Sequence, residues 1–234
     1  NDKIPGYAYL GRVGVGANYP IGGVILPGTY PSSIENRNLK WEATEQKNIG
    51  LDVALFNSRL VVVADAYIKN TSDLLLYVNV PRSTGFSSGL QNVGKLENKG
   101  LEFQITSRNV TGGFTWDTDF NIAFNRNKVI DVLGQEIVGG GVAGRGDVSY
   151  SREGKPLGLF YGYVAGGVDP SNGMMYYINR NGESVYKPTP EDRTVIGNPN
   201  PDFLYGMTNT FGYRNFDLSI FLQGSQGNDI FNAT

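Results

Sequence analysis

The chain has 234 residues, with 20 Lys and Arg against 22 Asp and Glu and a net charge of -2, so it lacks the positive field by which a nucleic-acid or anionic-surface binder captures a polyanion. With no Cys and no His, disulfide frameworks, thiolate or imidazole metal sites and every nucleophilic triad that uses His as its base are excluded, and most hydrolase chemistry with them. Charged residues make up 18%, below the roughly 25% of soluble domains, while 32 Gly, 14 Tyr, 12 Phe and 2 Trp suit many-stranded β structure with roomy loops.

No stretch approaches the ~18 apolar residues of a membrane-spanning helix, and Asn1-Asp2-Lys3-Ile4-Pro5-Gly6 carries no signal-peptide pattern. The chain opens as if in mid-loop and ends at Asn232-Ala233-Thr234 without a recognisable stop, so it is expected to be an internal piece of something longer. In chain order, period-two alternation then predicts six strands. Ile49, Leu51, Val53 and Leu55 share one face, ahead of a tight turn at Phe56-Asn57-Ser58-Arg59. Leu60, Val62, Ala64, Ala66 and Ile68 oppose Asp65, Tyr67 and Lys69. Leu101, Phe103 and Ile105 follow, with a turn at 109–113. From 114 to 125 the even positions are Phe114, Trp116, Thr118, Phe120, Ile122 and Phe124, and the odd ones Thr115, Asp117, Asp119, Asn121, Ala123 and Asn125. Segments 160–168 and 174–178 form a hairpin on the turn-forming Asp169-Pro170-Ser171-Asn172-Gly173. Phe203, Tyr205, Met207 and Phe211 share a face, as do Phe216, Leu218, Ile220 and Leu222 beyond the turn Tyr213-Arg214-Asn215.

Short turns on one rim and links of tens of residues on the other are the pattern of an outer-membrane β-barrel. Parity adds that whatever lies between 125 and 203 contributes an even number of strands. A soluble β-sandwich also presents one apolar and one polar face, so alternation leaves it open. Two features favour the barrel. The polar faces carry Asn, Asp, Gly, Thr and Ser rather than Lys, Glu and Arg, which suits a water-filled lumen, and aromatics gather near strand ends, where an interfacial girdle lies.

Several segments, in order, resemble the SusC-like TonB-dependent outer-membrane transporters of Bacteroidetes. They include Gly6-Tyr7-Ala8-Tyr9-Leu10, Asn38-Leu39-Lys40-Trp41-Glu42, Asn48-Ile49-Gly50-Leu51-Asp52, Asn92-Val93-Gly94, Asn98-Lys99-Gly100-Leu101-Glu102 and Asn125-Arg126-Asn127-Lys128-Val129. Gly154-Lys155-Pro156-Leu157-Gly158, Asp192-Arg193-Thr194-Val195-Ile196-Gly197-Asn198-Pro199 and Gln223-Gly224-Ser225-Gln226-Gly227-Asn228-Asp229 continue the match. The resemblance implies an all-β fold: an antiparallel transmembrane β-barrel segment, part of a 22-stranded plugged barrel in a Gram-negative outer membrane. It implies import of an oligosaccharide or peptide energised through TonB, with a SusD-like surface lipoprotein as lid and no cofactor. Residues 1–38 are then expected as an extracellular loop and 39–125 as four barrel strands with a long loop at 70–98. Residues 126–202 form a long extracellular loop with a hairpin, and 203–234 a barrel hairpin. The plug domain, the TonB-contacting segment and the closing strands are expected to lie outside this chain. Specificity is expected in the loops 21–38, 76–95 and 129–200.

No residue set reads as catalytic. Without His or Cys, carboxylates would have to act as a glycosidase-like pair, and Glu102, Asp117 and Asp119 sit on a polar strand face, where hydration of a lumen explains them. The chain is therefore expected not to be an enzyme, with a soluble carbohydrate-binding sandwich and a β-structured glycoside hydrolase as rival readings. Tyr161, Tyr163, Tyr176 and Tyr177 are candidate ligand contacts, because an aromatic face meets the C–H side of a sugar while its hydroxyl hydrogen-bonds; packing of the hairpin is the plainer use. Asn179, Asn181 and Glu183 stand where relatives often carry an Asp-rich calcium-like turn, but Asn for Asp lowers the charge a hard cation needs, so no metal is assigned and a turn stabilised by Asn and Gly is expected. The Gly-rich run 139–144, which no helix pattern follows, Arg145-Gly146-Asp147 and the sequons at Asn70, Asn109 and Asn232 are set aside as coincidences of composition.

Overall fold

A computed structural model of the chain describes residue 7 and residues 9–141 and 146–232. The Gly-rich run, the Arg145-Gly146-Asp147 triplet, the first motif and the sequon at Asn232 lie partly outside these residues. The strands, in chain order, are β1 Val13–Ile21, β2 Val24–Pro31, β3 Ala43–Leu55, β4 Leu60–Asn79, β5 Ser88–Val110, β6 Phe114–Asp131, β7 Ile137–Gly139, β8 Ser149–Ser151, β9 Leu159–Gly162, β10 Val164–Val168, β11 Met175–Ile178, β12 Ser184–Val185, β13 Thr194–Gly197, β14 Phe203–Tyr213 and β15 Phe216–Gln226. No helix among the described residues is long and apolar enough to cross a membrane.

Six of these strands, each containing one of the predicted alternating runs, make one open sheet in the order β15-β14-β6-β5-β4-β3. Strand β14 pairs antiparallel with β15 from Phe203↔Gln226 to Tyr213↔Phe216 and with β6 from Leu204↔Ala123 to Tyr213↔Phe114, both without a register shift. The described residues of the insertion between β6 and β14 therefore add no strand to this sheet. The β3–β4 turn holds Phe56, Asn57 and Ser58 at φ of 54°, 58° and 60°, the left-handed geometry that matches the twist of a hairpin. It is closed by Arg59 N donating to the Phe56 carbonyl at 3.2 Å. The Arg59 guanidinium reaches the carbonyls of Arg108 and Asn109, so this turn is tied to the end of β5.

Residues 70–98, expected as a long loop, are strand except at 80–87, where a 3-10 turn spans Arg82–Thr84. The alternation hides this because Leu74-Leu75-Leu76 is a run and because Asp73 adopts φ +58° within β4, interrupting the face pattern while the backbone stays extended on either side. The predicted hairpin is shorter than expected. Strand β9 pairs with β13 and β8, so Phe160 belongs to the four-stranded sheet β13-β9-β8-β7, and only Val164–Val168 pairs with Met175–Ile178. The intervening turn forms as predicted, with Gly173 at φ +70° and its N–H donated to the Asp169 carbonyl at 2.8 Å.

The chain divides into two compact units. The first comprises residues 1–45, 70–96 and 131–133, and the second comprises 46–69, 97–130 and 134–234. In the first, the hairpin β1–β2 turns on Gly22-Gly23. Asn92 accepts from the backbone N–H of Lys40 at 2.9 Å and donates to the carbonyls of Lys40 and Asp73 at 2.7 and 2.9 Å. Lys40 also pairs with Asp73 at 2.9 Å. These contacts give a physical reason for the Asn38–Glu42 and Asn92–Gly94 motifs to occur together.

In the second unit the buried apolar side chains are Val129, Val148, Tyr150 and Leu159, all in or below the insertion. None comes from the even face of β6 or its continuation on β14 and β15. Leu218 is 57% exposed and Phe216 78%, with no opposing layer over them among the described residues. At the turn end Trp116 stacks on Phe211 at 5.8 Å, and at the loop end Phe124 meets Phe203 at 5.8 Å. The ten residue steps from Phe114 to Phe124 cover about 33 Å of extended strand, or about 25 Å of height at the roughly 40° tilt of barrel strands, which matches the height of the apolar band, edged by aromatics, of a membrane-spanning barrel. Two polar residues interrupt this face, Thr118 and its cross-strand partner Asn209. They are satisfied locally: Asn209 accepts from the Trp116 indole at 2.9 Å and from Thr118 at 2.7 Å, and Thr118 in turn accepts from Asn109 at 2.7 Å. Hydrocarbon tolerates polar groups only when they are paired in this way.

Candidate functional site

Opposite the apolar face, Gln46, Asn48, Asp65, Lys69, Asn98 and Glu102 surround Tyr67 in an open cavity of about 490 Å³. The tyrosine crosses Gly100 and donates its hydroxyl to Asn125 Oδ1 at 3.2 Å. A Cβ on Gly100 would stand 2.7 Å from that ring and 2.4 Å from the Phe124 carbonyl oxygen, so the ring lies flat because the strand beneath it has no side chain. Amides, two carboxylates, an ammonium and an aromatic face are groups that hydrogen-bond and stack with a sugar or a peptide backbone. Sequence reasoning placed Glu102 on this polar face but did not see the pocket, because Tyr67, Gly100 and Asn125 meet only through register.

The four candidate tyrosines do not form one patch. Tyr161, on β9, is packed on both sides: Tyr150 stacks on it at 4.8 Å and the Arg193 guanidinium lies 4.5 Å from its ring centre. Arg193 donates to the carbonyls of Asp147 and Tyr161. Burial raises the pKa of the Tyr150 hydroxyl above its ordinary value, and its hydrogen bond to Glu136 at 2.7 Å adds to that. Tyr176 lies against Gly166, where a Cβ would meet its ring at 2.3 Å. Tyr163 and Tyr177 meet edge to face at 6.0 Å, and Tyr163 keeps 36% of its surface exposed.

Around the predicted calcium-like turn, the Asn179 side-chain oxygen accepts from the N–H groups of Asn181 and Glu183 at 3.0 and 2.8 Å, and its amide donates to the Glu183 carboxylate at 2.9 Å. The turn is organised by Asn179. Among the described residues no group of three or more Asp or Glu side chains gathers to hold a metal ion.

Asp169 organises the neighbouring turn. Its carboxylate accepts from the Ser171 hydroxyl and N–H, from the Tyr186 hydroxyl and from Asn172. The Ser171 hydroxyl first, then Tyr186 and the Ser171 N–H, hold its pKa down at about 2 against the ordinary 3.8. A carboxylate whose folded pKa is depressed contributes order that is complete above the ordinary value and is lost as pH falls through the folded one. The 169–173 turn is therefore expected to be fully protected from hydrogen exchange above about pH 4 and to open as pH falls toward 2. Protection that stays flat across this window would show that the carboxylate does not hold the turn.

The base of the insertion is a polar knot built from the later family-like motifs. Arg126 donates to Asp202 Oδ1 at 2.9 Å and to the carbonyls of Pro201 and Asp202. Asn127 donates to Asn200 at 2.6 Å and accepts from Leu157 N at 2.6 Å. Asp229 accepts from Asn198 N at 2.7 Å, while its own N–H goes to the Asn198 carbonyl at 2.8 Å. Both ends of the 130–200 excursion are thus fastened where β6 and β14 leave the sheet. The signal was in the sequence as clustered Asn and Pro, but no local pattern says which Asn meets which.

An open antiparallel sheet with one uncovered apolar face, short turns on one rim and a fastened insertion on the other is the architecture of a barrel wall. A model of the family described as TonB dependent receptor-like, beta-barrel matches residues 5–225. The chain belongs to this TonB-dependent receptor barrel family. It is 38% identical over 92% of its length to TonB-dependent receptor P3 of Formosa agariphila and 34% identical over 92% to TonB-dependent receptor SusC of Bacteroides thetaiotaomicron. It spans 23% and 22% of those relatives, respectively. Among solved structures it is similar to a chain of the RagAB peptide importer in an open-open state, with a TM-score of 0.77 and 22% identity over 96% of this chain and 24% of that one. That likeness establishes the fold. The family is one of receptors and transporters rather than enzymes, which settles the hydrolase rival, and the uncovered apolar face disposes of the two-sheet sandwich.

Proposed function

We propose that this chain is the wall of an outer-membrane importer of a Gram-negative bacterium that takes up oligosaccharides or peptides. In this reading energy arrives from TonB through parts of the protein outside this chain, and a SusD-like surface lipoprotein shares the ligand on the loop side. The observation that carries the reading is the two-faced sheet: about 25 Å of uncovered apolar height between two aromatic edges, backed by a face of amides, carboxylates and Tyr67. The likeness to a protein named as a peptide importer agrees with the peptide class, and the aromatic face of Tyr67 beside amides and carboxylates suits a sugar as well. The organisation into membrane strands and outward loops belongs to the same proposal.

We rank the candidate tyrosines for testing by the contacts each makes. Tyr163 and Tyr177 are the ligand-facing candidates, and Tyr161 and Tyr176 hold the insertion together. In the full-length protein, Tyr163→Ala should lower uptake of labelled oligosaccharides or oligopeptides severalfold with barrel abundance unchanged, whereas Tyr161→Ala should lower abundance of the folded insertion, read as increased protease nicking between 146 and 196. Uptake that persists when the whole protein is deleted, across both ligand panels, would refute the importer reading. Unchanged uptake in Tyr163→Ala alone would return that tyrosine to packing.

A further inference from the structure

In the hairpin β1–β2 two tyrosine rings lie flat across the ribbon. A Cβ on Gly14 would stand 2.7 Å from the Tyr30 ring, and one on Gly28 would stand 2.6 Å from the Tyr19 ring. Each ring thus covers a glycine of the opposite strand, and Gly14, Ala17 and Gly28 are the three residues of the two strands that are not exposed. The outer faces of the rings stay open, with 45% of Tyr19 and 48% of Tyr30 exposed. Gly14 and Tyr19 are five residues apart and would fall on opposite faces of a regular strand. The bulge between Val15 and Ala17 puts them on one face, where Gly14 opposes Tyr30 and Tyr19 opposes Leu26. Gly16, the extra residue, takes φ +94°. Gly28 is one rung from Tyr30 on the same face, so the two ring footprints follow each other about 7 Å apart along the ribbon. The same face leads into a pocket. Ser32 N donates to the Arg12 carbonyl at 2.7 Å, one rung beyond Val13↔Pro31, which sets Ser32 next after Tyr30. Ser32, Ser33, Tyr77, Phe86, Ser87 and Ser88 line a cavity of about 350 Å³ there, wholly within the first compact unit. Its polar side chains are hydroxyls apart from Arg12, which is already engaged, and no carboxylate lines it.

From this arrangement we propose a glycan-binding platform on the β1–β2 ribbon, separate from the Tyr67 cavity and from the tyrosines of the insertion. A neutral, extended oligosaccharide lays the C–H faces of two of its rings on Tyr19 and Tyr30, and its end enters the serine-lined pocket, where hydroxyl meets hydroxyl. The chemistry of the face selects this occupant. Flat rings with open outer faces are the shape that a pyranose C–H face covers, and a glycine beneath each ring leaves no side chain to tip it upright. A charged glycan or a peptide terminus finds no unpaired opposite charge on this path. The proposal rests on the oligosaccharide arm of the importer reading above and adds to it a site on the ribbon.

The test uses the full-length protein purified in detergent and the anisotropy of fluorescently labelled hexasaccharides of glucose, mannose, galactose or xylose, with labelled hexapeptides as comparison. At least one hexasaccharide should bind the wild type in preference to the peptides. Tyr19→Ala and Tyr30→Ala should each weaken that binding about tenfold, the loss expected when a ring central to a contact is truncated. Tyr19→Phe and Tyr30→Phe keep the rings and should stay near wild type. Combined Ser87→Ala and Ser88→Ala should weaken binding severalfold, and this pair carries the test if either alanine variant of the tyrosines misfolds. Ile25→Ala, on the opposite face of the hairpin, should leave binding unchanged. Binding of no hexasaccharide, wild-type affinity in the tyrosine-to-alanine variants, or an equal loss in Ile25→Ala would overturn the platform. Variants that keep the glycan but release a surface lipoprotein would also overturn it, by making the ribbon a protein-docking element. Absence of glycan binding in a protein on which cellular uptake still depends removes only the platform, whereas uptake that survives deletion of the protein removes the importer reading beneath it.

Discussion

In the full-length protein, Phe120→Arg is expected to reduce folded barrel by about 30-fold or more relative to Asn121→Arg, because a cation at the bilayer midplane of a barrel costs roughly 2 to 4 kcal/mol whereas one on the lumen side does not. The two residues are neighbours on β6 and differ only in the face they occupy. Phe120 pairs with Met207 on the uncovered face, between the Trp116–Phe211 and Phe124–Phe203 aromatic edges. Asn121 pairs with Gly206 on the polar face, where added bulk has room and water. Outer-membrane abundance by heat-modifiable gel migration reads the difference. Equal abundance of the two variants would mean that the even face is not in hydrocarbon.

The second large effect is expected at Gly100. Gly100→Ala puts a methyl 2.4 Å from the backbone oxygen of Phe124 and 2.7 Å from Tyr67. The ring can rotate away at the loss of its hydrogen bond to Asn125, but the carbonyl belongs to β6 and moves only with the sheet. Overpacking of this kind costs about 1 to 3 kcal/mol. Gly113→Ala, at a position with nothing within 4 Å and no left-handed backbone, serves as the control and should be near neutral. Adding Tyr67→Ala to Gly100→Ala should restore only part of the lost thermal stability, because the carbonyl clash remains. Full recovery in the double variant would assign the whole effect to the ring.

Much of the architecture could be read before any coordinates. The alternating runs at 49–55, 60–68, 101–105, 114–124, 203–211 and 216–222 each fall within an observed strand, since alternation along a strand is set by backbone geometry at single residues. Where the pattern broke, so did the reading: the Leu74-Leu75-Leu76 run and left-handed Asp73 masked the extension of β4, and the polar sequence 88–98 masked that of β5. The hairpin at 160–178 was placed correctly at its turn, where Asp169 and Gly173 carry local chemistry, but too long at its start, where Phe160 is claimed by Val195-Ile196-Gly197 some 35 residues away.

The candidate sites divide along the same line. The sequence by itself determined which side chains are oily and which are wet on each strand, where the chain turns, and that no His or Cys chemistry is available, because these are properties of composition and of neighbours one or two residues apart. Only the tertiary structure decided that Tyr67 lies over Gly100 and reaches Asn125, that Tyr161 is clamped between Tyr150 and Arg193, and that Arg126, Asn127, Asn198, Asn200 and Asp202 form a single knot. Most of those contacts join residues 32 to 76 positions apart, and cross-strand register, which no local period encodes, brings them together.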